Sequence, residues 1–467
     1  MRSTPELDAR TGLEKLATYP YHIASWIDDT GYPMSVAVTA DIDPRSLVAT
    51  FAAPAALAVP TNRDVSVTGS HIRPQPGYGY DERRHVTVWG RVSPGIRPDS
   101  MTRVLTLIGR SAWGWDESEV PFFEYSERSV PRSRRYFDAL SAERGTPVKP
   151  KLAIGFLALR TTRLPFLTAT IVPVLLGILI AASHGAFDLA SAALTVIGAA
   201  FVQLGLNVAN DVFDSVQGAD EANVTPTQFS GGSRVIQYGL VTLRQMATLA
   251  TVFYVTAGLI GLVLLATRGS VALLVIGVVG FIVSLGYTAP PLKFVYRGLG
   301  EIAVAIGFGP LMLLGAYVVQ TRGALAWEPF VASIPIALLV ALILYVNEIP
   351  DRRGDAYAGK RTLPVRFSRS AVIGGYNLAV AAAYVAVVLG VIAGLLPIPA
   401  LLMLLTIPLA RRVSAGLAPN YDNPYGLMAF MGVNVRLHLA AGVLLLVAYA
   451  IVIAAMAIAP GLDLFLG

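Results

Sequence analysis

The sequence predicts a multi-domain protein in which an all-α bundle of nine transmembrane helices follows a small soluble β domain. Two observations lead to this fold class. First, 54% of the 467 residues are hydrophobic and only 14% are charged, with a mean hydropathy of +0.60, which is unlike a soluble protein. Second, residues 1–150 hold half of the charged residues, whereas long apolar runs begin only after residue 163. We therefore expect a soluble domain over residues 1–150 and a membrane domain over residues 151–467.

Short segments rich in β-branched and aromatic residues predict the strands of the first domain. They are separated by turn signals such as Asp29-Thr-Gly-Tyr-Pro33, a pattern typical of a small β-barrel or sandwich. The predicted strands are 22–26, 35–38, 47–51, 65–68 and 85–92. Segments near 99–110 and 132–143 look helical, residues 147–151 form a plausible hinge, and residues 152–159 are expected to lie in the membrane interface.

Nine apolar runs predict the transmembrane helices of the second domain. Most approach the ~20 residues that cross ~30 Å of hydrocarbon, although the eighth is short. The predicted spans are 164–183, 189–210, 245–266, 270–287, 300–320, 329–349, 371–394, 397–410 and 434–458.

The distribution of basic residues predicts the orientation of the chain in the membrane. Residues 1–150 carry 18 basic and 18 acidic residues, and residues 151–467 carry 18 and 12, so the net charge of +6 lies in the membrane domain. With a cytoplasmic N-terminus, only Arg268 and Arg322 of those 18 basic residues fall outside, as the positive-inside rule requires. We expect an integral protein of the cell membrane with its C-terminus outside. The alkaline pI then reflects topology and gives no reason to expect nucleic-acid binding.

Two clusters of acidic and amide residues end apolar runs on the predicted cytoplasmic face. The first extends from Asn207 to Asp220 and the second from Asn347 to Asp355. Ionisable residues at membrane depth are costly and usually mark a functional site. The chain has no cysteine, so thiolate metal sites and cysteine nucleophiles are excluded.

The spacing within both clusters favours a site for divalent cations. Side chains four residues apart share a helix face, and hard oxygen ligands together with substrate phosphates suit Mg²⁺. The predicted metal ligands are Asn210, Asp211, Asp214, Asp220, Asn347, Asp351 and Asp355. Pro350 is expected to weaken its helix, so that the last turn unwinds toward the cavity. The alternative is that these residues are solvated charges at helix ends.

Basic residues near the clusters have the right chemistry to bind a diphosphate. Lys360 and Arg361 follow the second cluster, Arg234 follows the first, and Lys293 lies between them in sequence. Lys and Arg bind phosphate oxygens through charge-assisted hydrogen bonds. For each of these residues, the positive-inside rule alone is an equally good explanation.

Over residues 155–460 the chain resembles the UbiA-type intramembrane prenyltransferases. The resemblance rests on Asn210-Asp-Val-Phe-Asp214, on Asn347 with Asp351 and Asp355, on Gly359-Lys-Arg-Thr-Leu363 and on Tyr287-Thr-Ala-Pro-Pro291. Gly218-Ala-Asp220 and Tyr296-Arg-Gly-Leu-Gly-Glu301 are similar to the 1,4-dihydroxy-2-naphthoate polyprenyltransferases of menaquinone biosynthesis. Many family members have the third acid where this chain has Gly218, and the naphthoate branch shares the longer spacing to Asp220.

The resemblance implies Mg²⁺-dependent transfer from a polyprenyl diphosphate to an aromatic acceptor within the lipid membrane. The implied catalytic residues are Asp214, Asp351, Asp355 and Lys360. The implied substrate-binding residues are Asn207, Arg234, Tyr287, Lys293 and Arg361, of which Tyr287 and Lys293 are expected near the acceptor. A membrane transporter that uses intramembrane carboxylates is the main alternative.

The first domain is similar to the pyridoxamine-phosphate-oxidase-like split β-barrels, many of which bind flavin. The similar segments are 29–33, 61–67 and 85–91. They imply either a bound FMN or a cofactor-free structural or regulatory domain. Arg63, Arg83 and Arg84 are better explained by exposed ion pairs than by a phosphate. A membrane-anchored flavin oxidoreductase is therefore a further alternative for the whole chain.

Overall fold

The computed structural model describes residues 6–75, 79–94, 101–149, 153–223, 225–458 and 464–466. The chain divides into two compact units, residues 1–133 and residues 134–467. The first unit is built on a β-sheet and the second on helices, as the change in composition along the chain predicts.

The first unit contains an antiparallel sheet of eight strands. The path along the sheet is β3-β2-β6-β7-β8-β5-β4, and β1 pairs with β8. The strands are β1 Glu6–Leu7, β2 His22–Ile27, β3 Pro33–Val38, β4 Ala40–Asp43, β5 Val48–Pro54, β6 Val65–Gln75, β7 Gly79–Pro94 and β8 Thr102–Asp116.

Alternating side chains of the long strands form the core of this unit. Val65 and Val67 of β6 and Leu105 and Leu107 of β8 are fully buried, as expected for strands with one covered face. Helix α1, Ala9–Leu16, contributes Leu13 and Leu16 to the same core. A glycine at position 12 permits this packing, since a Cβ there would lie 2.2 Å from the Cβ of Ala112.

The helix expected near residues 99–110 is a wrong prediction. Residues 102–110 belong to strand β8, and residues 99 and 100 lie outside the described part of the chain. Burial of Leu105, Leu107 and Gly109 alternates with period two, so pairing with β5 and β7 decides the conformation of this apolar run. The helix expected near 132–143 is confirmed within α2, Phe122–Arg144.

The second unit contains seven helices that are long and apolar enough to cross a membrane, counted over the described residues. Two shorter apolar helices, α4 (Thr168–Ser183) and α8 (Val271–Gly286), accompany them. The seven are α5 Leu189–Val216, α7 Leu243–Arg268, α9 Gly300–Thr321, α10 Trp327–Tyr357, α12 Arg369–Ile392, α13 Ile398–Asn420 and α14 Pro424–Ile458. Short helices α3 Ile154–Thr162, α6 Ala219–Ala222 and α11 Leu363–Arg366 lie between them. This composition indicates an integral membrane protein.

Helix α10 is the most buried of the long helices and carries the second acidic cluster. Polar contacts fix it against its neighbours: the Tyr376 hydroxyl donates to Asn434 at 2.9 Å, and the Asn434 amide donates to the Leu342 carbonyl at 2.8 Å. The expectation that Pro350 unwinds the last turn is wrong, because α10 continues to Tyr357. Proline removes a single backbone N–H from the helix, and the remaining hydrogen bonds with burial of Pro350 keep the turn helical.

The predicted hinge and interfacial segment are only partly visible. Residues 150–152 lie outside the described part of the chain. Helix α3 follows, and it exposes Ile154, Phe156 and Leu159. These exposed apolar side chains fit the expected position in the membrane interface.

Candidate functional site

The two acidic clusters line one polar cavity of about 170 Å³. The end of helix α5 and the short helix α6 carry the first cluster, and the end of α10 carries the second. Nine of the thirteen site residues predicted from the sequence line this cavity: Asn207, Asn210, Asp214, Asp220, Tyr287, Asn347, Asp351, Asp355 and Lys360. Arg234, Lys293, Arg361 and Asp211 are not among its lining residues.

Asp214 lies where the two clusters meet. Its carboxylate accepts hydrogen bonds from Asn210 Nδ2 at 3.2 Å, from the Tyr296 hydroxyl at 2.8 Å and from Lys360 Nζ at 3.3 Å. The same Lys360 Nζ is 3.7 Å from Asp355 Oδ1. Lys360 therefore bridges an acid of the first cluster and an acid of the second.

Lys360 is buried between two acids that favour its charged form. Burial acts to lower the pKa of Lys360, but the nearby carboxylates of Asp214 and Asp355 raise this pKa well above its usual range. The two acidic segments thus stabilise a positive charge between them, and the same electrostatics would stabilise a bound metal ion.

Asp351 is joined to the loop that follows α6. Its carboxylate accepts hydrogen bonds from Asn223 Nδ2 at 2.8 Å and from the Gly231 backbone N–H at 2.9 Å. Gly231 and Gly232 both have positive φ, and a Cβ at Gly232 would lie 2.8 Å from Asp220 Oδ1. The loop approaches the acids this closely because these two residues are glycines.

The four predicted residues outside the cavity wall hold neighbouring parts of the site. The carboxylate of Asp211 is paired with Arg163 and accepts the Ser233 N–H at 3.2 Å. Arg234 donates to the backbone oxygen of Asp220. Lys293 lies 5.5 Å from the centre of the Tyr296 ring, and the Arg361 N–H donates to the Tyr296 carbonyl at 3.2 Å.

The oxygen atoms of the cavity suit Mg²⁺. Asn210 Oδ1, Asp220 Oδ2 and Asp355 Oδ2 are buried and have no hydrogen-bond partner. Among the described residues, no group of three or more His, Asp or Glu side chains is arranged to hold a metal ion by itself. Mg²⁺ commonly binds through one or two carboxylates, with water and substrate phosphates completing its shell. The arrangement therefore fits a metal that arrives with a phosphorylated substrate.

An apolar cavity of about 550 Å³ adjoins the polar one. It is bounded mainly by α5, α7, α8 and α9. Residues that line both cavities are Gln203, Leu206, Tyr287, Val304 and Phe308. Tyr287 thus stands where a polar headgroup site meets a space suited to a long apolar chain.

Sequence reasoning missed three residues of this site. Glu348 lines the polar cavity, Asn223 holds Asp351, and Tyr296 holds Asp214. Glu348 follows Asn347 directly and does not belong to the series Asn347, Asp351 and Asp355, so four-residue spacing does not identify it. Tyr296 belongs to a segment that supported the resemblance, and that segment was the available signal.

In the sheet unit, two of the three arginines considered for a phosphate form ion pairs. Arg63 lies 3.1 Å from Asp29, and Arg83 lies 2.5 Å from Glu117. The Arg84 guanidinium lies 5.9 Å from the centre of the Tyr19 ring. FMN binding by this unit stays a prediction from the resemblance alone.

Comparisons with known proteins identify the family. A profile of the UbiA prenyltransferase family matches residues 170–433. The 2-carboxy-1,4-naphthoquinone phytyltransferase of Synechocystis sp. is 26% identical over 292 residues, covering 61% of this chain and 90% of that one. The 1,4-dihydroxy-2-naphthoate octaprenyltransferase of Bacillus subtilis is 28% identical over 250 residues, covering 54% and 78%. A solved UbiA homolog from Archaeoglobus fulgidus, bound to GPP and Mg²⁺, aligns with a TM-score of 0.43 and 15% identity, covering 62% and 99%. The chain belongs to the UbiA prenyltransferase family, and it is a membrane prenyltransferase.

Proposed function

We propose that this enzyme transfers a polyprenyl group from a polyprenyl diphosphate to 1,4-dihydroxy-2-naphthoate, with Mg²⁺, in menaquinone biosynthesis. The observation that carries the proposal is the convergence of both acidic clusters on one cavity beside an apolar space. The naphthoate acceptor is supported by the names of the two bacterial relatives.

We assign the metal-binding role to the cavity oxygens of Asn210, Asp214, Asp220, Asn347, Asp351 and Asp355. Bound Mg²⁺ would neutralise the charge that develops on the departing diphosphate. Asp211 takes a supporting role, because it does not line the cavity and its carboxylate is paired with Arg163 and Ser233. Asn207 similarly fixes local structure, since its amide donates to the Thr162 carbonyl at 2.9 Å.

Lys360 binds the diphosphate oxygens in this proposal. Its ammonium already lies between Asp214 and Asp355, where phosphate oxygens would arrive with the metal. Arg234, Lys293 and Arg361 lie behind the cavity wall and position the residues that do contact substrate. Tyr287 is assigned to the junction where the allylic carbon and the acceptor ring would meet.

The chemical step is substitution at the allylic carbon. The bond between that carbon and the diphosphate oxygen breaks, and its electron pair leaves with the diphosphate. An electron-rich ring carbon of the acceptor supplies the pair for the new carbon–carbon bond and then loses the group it carried, a proton or carbon dioxide. The apolar cavity holds the prenyl chain and keeps water from the allylic centre.

We also propose the finer architecture that the sequence predicts. Helices α4 and α8 would join the seven long helices to give nine spans, with a cytoplasmic N-terminus and an external C-terminus in the cell membrane. The sheet of the first unit would correspond to a split β-barrel, with domains over residues 1–150 and 151–467. Labelling of single cysteines, introduced into this naturally cysteine-free chain, tests the orientation in intact cells.

The activity is tested with the purified full-length protein, labelled polyprenyl diphosphate and a panel of aromatic acceptors. We expect transfer to 1,4-dihydroxy-2-naphthoate that requires Mg²⁺ and is lost in Asp214→Ala and Asp351→Ala. Tyr357→Phe is the matched control, since Tyr357 lies at the exposed end of the helix that carries Asp351. Equal transfer by all four proteins would rule out the proposed site, and preference for another acceptor would rule out the naphthoate.

A further inference from the structure

Glu348 is a buried acid of the site that the proposed chemistry has not used. It lies on α10 beside Asn347, lines the polar cavity and is only 4% exposed. Neither of its carboxylate oxygens has a hydrogen-bond partner. A buried carboxylate without a partner costs several kcal/mol, and such groups in native structures require an explanation.

Glu301 lies beside Glu348, and the two carboxyl groups are close enough to interact. Glu301 is 8% exposed and is not among the residues that line either cavity. Glu348 itself lines the polar cavity, so a substrate can reach its carboxyl group.

The surroundings of Glu348 suit a hydroxyl donor as its partner. Tyr287, which stands between the two cavities, lies within electrostatic reach of both Glu348 and Lys360. Glu348 is therefore close to the place where a headgroup on Lys360 would meet a second substrate.

We propose that Glu348 is the acceptor-binding residue, whose carboxyl group accepts hydrogen bonds from the hydroxyl groups of the dihydroxyarene, with Glu301 beside it as a positioning residue. The proposal rests on the proposed function, because that function supplies a hydroxylated aromatic acceptor. A carboxyl group that accepts from the ring hydroxyls fixes the ring face toward the allylic carbon. A site built in this way discriminates against analogues that lack the hydroxyl groups.

Equilibrium binding of the acceptor, without prenyl diphosphate, tests the proposal. The full-length protein is titrated anaerobically with 1,4-dihydroxy-2-naphthoate and with 2-naphthoate, which lacks both hydroxyl groups. We expect Glu348→Leu to weaken binding of the dihydroxy compound about tenfold, the loss of one buried hydrogen bond, and to leave 2-naphthoate binding unchanged. Glu301→Leu should weaken binding less, and Glu301→Gln should restore it, because the glutamine amide donates to Glu348.

Binding of Mg²⁺ with polyprenyl diphosphate is measured in the same variants and should match the wild type, which also verifies that they fold. Unchanged affinity of Glu348→Leu for the dihydroxy compound would overturn the proposal. An equal loss for both naphthoates, or a shifted Mg²⁺ requirement, would also overturn it in favour of a packing or metal-binding role. Failure of the wild type to transfer a prenyl group would instead refute the proposed function, because the binding comparison does not depend on turnover.

Discussion

Some ion pairs of the sheet unit and some of the helical unit differ in how far the acid is exposed to water. In the sheet unit, ion pairs such as Arg63–Asp29 and Arg73–Glu82 lie at the surface, where water solvates both partners. In the helical unit, Asp211 and Asp214, which pair with Arg163 and Lys360, are only 2% and 5% exposed. A surface pair adds little to stability and says little about function. A buried acid requires a partner, so each buried acid indicates either a structural ion pair or a functional site.

The largest expected effect compares one carboxylate from each unit. Asp211 is 2% exposed and Asp29 is 88% exposed, and each pairs with one arginine. Asp211→Ala leaves Arg163, whose side chain is 25% exposed, without its paired anion, so we expect a loss of about 3 kcal/mol in the free energy of unfolding. Asp29→Ala should cost less than about 1 kcal/mol. Denaturation of the full-length protein, followed by circular dichroism, measures both.

Similar losses for the two variants would contradict the comparison. Such a result would mean that burial of an acid in the helical unit does not determine how much its ion pair contributes to the free energy of unfolding. Asp188→Asn, which alters an acid paired with Arg268 at the other end of α5, serves as a control within the helical unit.

The second prediction compares the adjacent basic residues Lys360 and Arg361 as ligands of the diphosphate. Lys360 lines the cavity, whereas the side chain of Arg361 is not among the lining residues. Lys360→Met should lower kcat/KM for the polyprenyl diphosphate about 100-fold, or ~2.7 kcal/mol, because the diphosphate loses a buried cation. Arg361→Met should lower it less than about threefold. Steady-state transfer assays at saturating acceptor decide between them, and equal losses would assign both residues to the headgroup site.

A single hydroxyl group gives a smaller effect. Tyr296 donates to Asp214 at 2.8 Å, so Tyr296→Phe removes one hydrogen bond to a carboxylate of the site. We expect about a tenfold loss of kcat/KM, because a hydrogen bond to a charged group contributes ~1.5 kcal/mol. Tyr357→Phe, on the exposed end of α10, is the control and should match the wild type. An unchanged Tyr296→Phe enzyme would show that Asp214 is oriented by its other partners.

The sequence predicts the parts of the fold and site that depend on local periodicity. Apolar run length locates α4, α8 and the seven long helices, and four-residue spacing places Asn210 and Asp214 on one face. Both signals arise within single elements, so no knowledge of tertiary contacts is needed.

The rest depends on contacts between elements. Residues 102–110 contain both a leucine pair at strand spacing and apolar neighbours at helical spacing, and only pairing with β5 and β7 decides for a strand. Glu348 lies beside Glu301 of another helix. Asp351 accepts a hydrogen bond from Gly231, a loop residue 120 positions earlier in the chain. Contacts between residues this far apart in the chain leave no periodic pattern in the sequence.

The smallest expected effect concerns a half-buried histidine of the sheet unit. Burial lowers the pKa of His85, whose ring lies against Trp115 and Tyr125. Because the unfolded chain binds the proton more readily, the sheet unit should lose stability as the pH falls below about 6.5. Four of the five tryptophans lie in residues 1–150, so tryptophan fluorescence of the full-length protein reports mainly on this unit. His85→Gln cannot titrate, and its unfolding midpoint should fall less than that of the wild type between pH 7 and pH 5, with the difference between the two proteins constant above pH 7. Unfolding midpoints of the two proteins that change in parallel over the whole pH range would contradict this prediction. They would mean that the charged imidazole of His85 reaches water, like the surface ion pairs of the same unit.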